Sequence, residues 1–174
     1  MATRSSIAML NLNGTVKSIY CHNSGYISHN GQMLYEHYKN KNKIKELLSF
    51  GDMSSLAEEV SLLPGVEDGI VCYFYGRDRG EPEDDVKAAE HDSLELYMQN
   101  GNFQEYDYVF KEKNETWYVV NHKTKKLQKL TTLLMKDEEV SEHVKQMINT
   151  EKLAKQLKKE LPLKLDVKKE LPKL

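Results

Sequence analysis

The sequence predicts an α+β fold: a mostly antiparallel sheet with N-terminal and C-terminal hairpins, short helices packed on one face and a C-terminal helical extension. Three observations carry it. Asn13-Gly14 separates two β-prone runs, SSIAMLNL and TVKSIYCH, which is a strong short-range hairpin signal. EYDYVFKEKNETWYVVNHK alternates around a polar turn near Lys113 and Asn114, a second hairpin. Between and after these, apolar residues recur at helical spacing.

Taken in order, the first hairpin runs into a Gly25 to Gly31 loop, and Met33, Leu34, His37 and Tyr38 then mark a short helix. Ile44, Leu47 and Leu48 mark a second, stopped by Gly51. Asp52 or Ser54 is placed to cap a further turn through Leu56 and Val60, with Glu58 or Glu59 near its positive end. After Pro64-Gly65, the run GIVCYFY (69–75) reads as a buried central strand, and GRDRGEPEDD (76–85) as a charged loop. DSLELYMQNG (92–101) reads as a helix capped by Asp92 and stopped by Gly101. The composition shifts after Asn121. Leu127, Leu130, Leu133 and Leu134, then Val140, Val144, Met147 and Ile148, predict at least one long helix, begun by Asp137, Glu138 and Glu139. The repeat KKELPLKL and KKELPKL closes the chain, each proline ending a helical segment. The expected organisation is a compact domain over 1–121, a helical extension over 122–161 and a flexible lysine-rich tail over 162–174.

A net charge of -2, from 25 basic and 27 acidic side chains, supplies no global drive toward nucleic acid or membranes. The tail is locally basic, eight lysines against four acids over 151–174. No apolar run approaches the ~20 residues that span a bilayer. The two cysteines, Cys21 and Cys72, lack CxxC spacing, so neither a disulfide framework nor a zinc knuckle is expected and a reducing cytoplasm fits.

The chemistry-bearing residues concentrate in two segments. In SIYCHNSGYISHNG (18–31), adjacent strand residues face opposite ways, so Cys21 and His22 cannot form a thiol–base pair; Cys21 points inward if Tyr20 and His22 point outward. His22 and Tyr26 are therefore the candidate ligand-binding residues of this loop. His22, His29, His37, His91, His122 and His143 show no metal-ligand spacing, and neither a metal nor a cofactor is expected. In YGRDRG (75–80), Arg77 and Arg79 flank Asp78 between glycines, a chemistry suited to gripping phosphate or carboxylate. The plain alternative is a solvated loop whose arginines balance Asp78 and the acids from Glu81 to Asp85. If strand 69–75 lies beside the strand ending at His22, then His22, Tyr26, Arg77 and Arg79 form one concave surface.

TRSSIAMLNLNGTVKSIYCHNSGY, NGQMLYEHYKNKNKIKELLSFGDMSSL, YGRDRGEPEDD and ETWYVV together resemble a family of small proteins encoded by tailed bacteriophages and prophages, over residues 2–121. Relatives in that family commonly carry Trp-Asp where this chain has Asn23-Ser24, which removes the one carboxylate near His22. The resemblance implies an accessory protein acting in the cytoplasm of an infected bacterial host. The resulting expectation is a non-enzymatic protein that binds a host protein or a small anionic, nucleotide-like ligand and so modulates host metabolism or defence, with homo-oligomerisation open and neither a membrane nor a nucleic-acid partner. The alternative is a small enzyme acting on a nucleotide or nucleic acid, with His22 as acid/base and Arg77 and Arg79 clamping phosphate.

Overall fold

The computed structural model describes residues 2–62, 64–65, 70–100 and 103–166. Eight strands form one mixed, mostly antiparallel sheet: β1 (Ser5–Leu10), β2 (Val16–Cys21), β3 (Met53–Ser55), β4 (Tyr73–Phe74), β5 (Ala89–His91), β6 (Tyr106–Lys111), β7 (Thr116–Asn121) and β8 (Lys126–Lys129). The order across the sheet is β4-β3-β2-β1-β6-β7-β8, with β5 also on β2. Only β1–β6 and β2–β3 run parallel among these strand pairs. Both predicted hairpins are present. The first has a wider turn than two residues, closed by Asn11 N–H to Thr15 O at 2.9 Å.

Residue alternation sorts the two faces. Ile7, Met9, Ile19, Cys21, Tyr108, Phe110 and Trp117 are buried. Their register places them on one face, where α2 (Lys41–Ser49) packs on β1 and β2 while α6 (Leu130–Lys136) packs on β7 and β8. A π-helical turn (Ile27–Gly31) leads into α1 (Gln32–His37). On the opposite face Ala8, Val16, Val109 and Val120 form a smaller core closed by Tyr97 from α5 (Leu94–Asn100). So the helices are divided between the faces.

Several local expectations are corrected. Residues 53–55 form a strand instead of a capped turn: His22 N–H donates to Met53 O and Asn23 N–H to Ser54 O, and these pairings outweigh local capping. The 69–75 run is not a central strand: Tyr73 and Phe74 join the sheet at its edge on β3, and Val71 makes an isolated parallel bridge with Glu59; Gly69 lies outside the described residues. The segment 76–85, expected as a loop, is largely helical: α3 (Tyr75–Arg79) ends at Gly80, in the left-handed conformation, and α4 (Glu83–Val86) follows. Ser93, not Asp92, caps α5 by accepting from Leu96 N–H at 3.1 Å, and the predicted stop at Gly101 lies outside the described residues. Leu127 belongs to β8 because Lys126–Lys129 pairs with β7, so the sheet continues beyond 121.

The chain divides into two compact units, 1–140 and 141–174. The second contains α7 (Glu142–Asp166), which starts at Glu142 instead of at the acidic triplet and passes through Pro162. The second KKELP repeat lies outside the described residues. Among these, no helix is long and apolar enough to cross a membrane.

Cys21 is a core residue. It is fully buried, and burial pushes its thiol up to about 11. Asn30, also fully buried, donates to Ser5 Oγ and Asn23 O at 3.1 Å and lies 3.5 Å from Cys21 Sγ. Cys21→Ser is expected to lower stability by ~1–3 kcal/mol, because the hydroxyl is desolvated where an apolar sulfur sat. Chemical denaturation would measure it.

Candidate functional site

The helix-free part of the α5 face is polar, and its geometry follows from a break in pairing along β2. The outer edge of β2 pairs with β5 at Val16–Ser18 and with β3 at Cys21. Between them, the Tyr20 N–H donates to Asp52 Oδ1 at 2.7 Å, so a carboxylate replaces the missing ladder acceptor. Gly51 makes that placement possible. Its φ is 75°, and a Cβ there would stand 2.2 Å from Val86 O. Asp52 is further pinned by its N–H to Val86 O at 2.7 Å and by Tyr75 N–H to its own O at 3.1 Å. Burial pushes the Asp52 carboxyl up, with the Tyr20 N–H opposing. At the break lies a cleft of about 310 Å³, whose lining includes Ser6, Ser18, Tyr20, Asp52, His91 and Tyr97.

At the lip of this cleft, Tyr20 OH lies 2.8 Å from His22 Nδ1. Burial pushes the Tyr20 phenol up, while the nearby Arg4 guanidinium draws it down. Register explains the grouping, since Ser6 lies opposite Tyr20 and Arg4 immediately precedes β1. Burial, then the neighbouring Tyr20, pushes the Tyr75 phenol up, while Arg79 draws it down. The Arg79 guanidinium lies over the Tyr75 ring at 4.7 Å and pairs with Glu81 at 3.2 Å. Arg4, Tyr20, His22, Tyr75 and Arg79 thus form one neighbouring set, in which Tyr20 acts on Tyr75 through charge.

Of the four residues singled out from sequence, His22 and Arg79 belong to this set. Arg77 is held by neighbouring groups of the chain. Its Nε and Nη2 hold Asp78 at 2.8 and 2.9 Å, Nη1 donates to Val60 O and Nη2 to Cys72 O, both at 2.6 Å, and it covers the rings of Phe50 and Phe74. Tyr26 is exposed and meets His29 edge-on, with ring centroids 6.3 Å apart. The single concave surface expected of all four rests on β4 lying beside β2, and β3 intervenes.

A second polar cluster was not singled out from sequence. Asp107 is fully buried and accepts from Ser6 Oγ at 2.5 Å, from Gln104 N–H at 3.1 and 3.2 Å through its two oxygens, and bonds His122 Nε2 at 2.6 Å. Ser6 Oγ also meets Tyr97 OH at 3.1 Å, and His122 stacks on Phe103. The available signal was an acid in YDYVF on the same side as Val109. Arg4, Tyr20 and Asp52 were likewise legible only once strand partners were known.

The second cysteine offers no ready thiolate either, since burial raises Cys72. Among the described residues, no group of three or more His, Cys, Asp or Glu side chains is arranged to hold a metal ion. Comparison of the chain with protein-family models, with curated proteins and with solved structures finds no match.

Proposed function

We propose that the protein is a non-enzymatic binding protein that takes a small anionic ligand at the lip formed by Arg4, Tyr20, His22, Tyr75 and Arg79. In the bacteriophage setting that the sequence resemblance implies, its role is to sequester that ligand in the host cytoplasm and so modulate host metabolism or defence. The observation that carries this reading is the Tyr20 OH to His22 Nδ1 hydrogen bond with the Arg4 charge acting on the same hydroxyl and the Arg79–Tyr75 contact nearby. Two guanidinium groups supply charge, and two phenols and an imidazole supply directed hydrogen bonds. The Arg79–Glu81 pair is exposed, its side chains 48% and 36% accessible, so an incoming anion displaces it at little cost.

Binding is tested by calorimetric titration with inorganic phosphate, pyrophosphate and nucleoside monophosphates. Arg4→Ala and Arg79→Ala are each expected to weaken binding by ~1.5–3 kcal/mol, the range for hydrogen bonds to charged groups, and affinity is expected to fall with added salt. Unchanged affinity in both variants, or no binding of any of these anions, retires the site. Product analysis after incubation with each nucleotide separates sequestration from the enzymatic alternative, which requires turnover lost in His22→Ala.

A further inference from the structure

We propose that the cleft at the β2 pairing break is a base pocket, and that the ligand is a guanine nucleotide whose phosphate lies at the arginine lip. This rests on the anion-binding reading above and specifies its ligand. Tyr20 belongs to both places: its ring lines the cleft while its hydroxyl meets His22 near the Arg4 charge. A ligand held at the lip by a phosphate therefore directs its remaining atoms into the cleft. Charge favours one orientation: the guanidinium groups at the lip attract a phosphate, while in the cleft Asp52 repels one and Lys87, which also lines it, is already paired with Asp84 at 2.8 Å.

The cleft's volume of about 310 Å³ lies at the lower end of the ~300–1,000 Å³ typical of small-ligand sites. Its walls are partly aromatic. Tyr20, His91 and Tyr97 contribute rings, with His91 meeting the buried Tyr97 edge-on at a centroid separation of 5.3 Å. Asp52 selects the base. One of its oxygens holds the Tyr20 N–H, and an ionised carboxylate has acceptor capacity beyond that single bond. Guanine presents two adjacent donors, the N1–H and the exocyclic N2 amine, which match a carboxylate edge. Adenine, cytosine and uracil lack that pair. Burial raises the Asp52 carboxyl, a sign of incomplete hydration, so donors from a ligand replace water that the site supplies poorly.

The test is titration of the full chain with GMP, AMP, CMP, UMP and ribose 5-phosphate, the last supplying the phosphate and sugar without a base. The expected result is GMP binding at least ~10-fold tighter than any of the others, a difference equivalent to about 1.4 kcal/mol. In Asp52→Asn, the amide oxygen still accepts from Tyr20 N–H, but the GMP to ribose 5-phosphate ratio is expected to fall toward one. Equal affinities across the panel, or a preference for AMP or a pyrimidine nucleotide, overturn the guanine assignment and leave anion binding intact. A GMP preference that survives Asp52→Asn overturns the role of the cleft. No binding of any compound overturns both readings. Should Asp52→Asn fail to fold, as a thermal melt would show, the panel on the unaltered chain still decides the assignment.

Discussion

Asp107→Ala is expected to lose roughly 2–4 kcal/mol of folding stability, because a buried acceptor shared by several donors is removed and an unsatisfied buried polar group costs about 1–3 kcal/mol. The carboxylate is the shared acceptor for Ser6 Oγ, Gln104 N–H and His122 Nε2, so its loss removes a partner at once from β1, from the segment before β6 and from the residue after β7. Ser6 retains Tyr97 OH, whereas the Gln104 N–H loses both carboxylate oxygens. Asp107→Asn is expected to cost less, since an amide oxygen still accepts and its nitrogen can donate to a neutral imidazole. Burial pushes the Asp107 carboxyl up, and the bonds from Ser6, Gln104 N–H and His122 oppose this without reversing it. The sign for stability follows. A folded-state pKa raised above the unfolded one, ordinarily about 3.9 for aspartate, contributes stability that is full below the unfolded value and is lost as pH rises through the folded value. The stability of the native chain relative to Asp107→Asn is therefore expected to decline as pH rises through that window. Urea unfolding across acidic pH measures both effects. An Asp107→Ala variant as stable as the native chain would show the cluster to be energetically idle.

The elements with strong local signals were legible in the sequence. Asn13-Gly14 and the polar turn near Asn114 each announced a hairpin, because turn residues and alternation depend on nearby positions alone. Ile44, Leu47 and Leu48 announced α2 for the same reason. Elements set by distant partners were not legible. Met53–Ser55 is too short to signal a strand by itself, and its conformation comes from pairing with Cys21 across the α1 and α2 segment. Cys72, Tyr73 and Phe74 look like a buried central strand, yet an edge position exposes Tyr73 while burying Cys72 and Phe74. The site shows the same division. Alternation in SIYCH correctly turned Cys21 inward and away from Tyr20 and His22. It could not reveal that Arg4 and Asp52 converge on Tyr20, because both contacts come from other segments.

Arg77→Ala is expected to lower stability by roughly 1.5–3 kcal/mol, the range for hydrogen bonds to charged groups, while Arg79→Ala stays within about 0.5 kcal/mol of the native chain. The two side chains stand two positions apart in α3, and sequence alone gave them the same role. Arg77 ties α3 to carbonyls at Val60 and Cys72, neutralises Asp78 and covers two aromatic rings. Truncation removes charged hydrogen bonds to two carbonyls and leaves Asp78 with only its bond from Phe74 N–H at 2.7 Å. Burial works against the Asp78 charge, but Arg77 and the Phe74 N–H together hold its carboxyl below the ordinary range. The stability Asp78 contributes is therefore present above the ordinary aspartate pKa and lost as pH falls through the lowered one. Much of that contribution is expected to vanish in Arg77→Ala. Arg77→Lys is expected to recover little, because an ammonium cannot reproduce the planar fork that reaches Asp78 and both carbonyls at once. Arg79 instead lies on Tyr75 and pairs with exposed Glu81, a contact of small stabilising value. Guanidinium denaturation of the three variants, paired with phosphate titration, separates the roles. Anion affinity lost in Arg77→Ala at unchanged stability, and retained in Arg79→Ala, would move the binding role to Arg77 and dissolve the lip assembled around Tyr20.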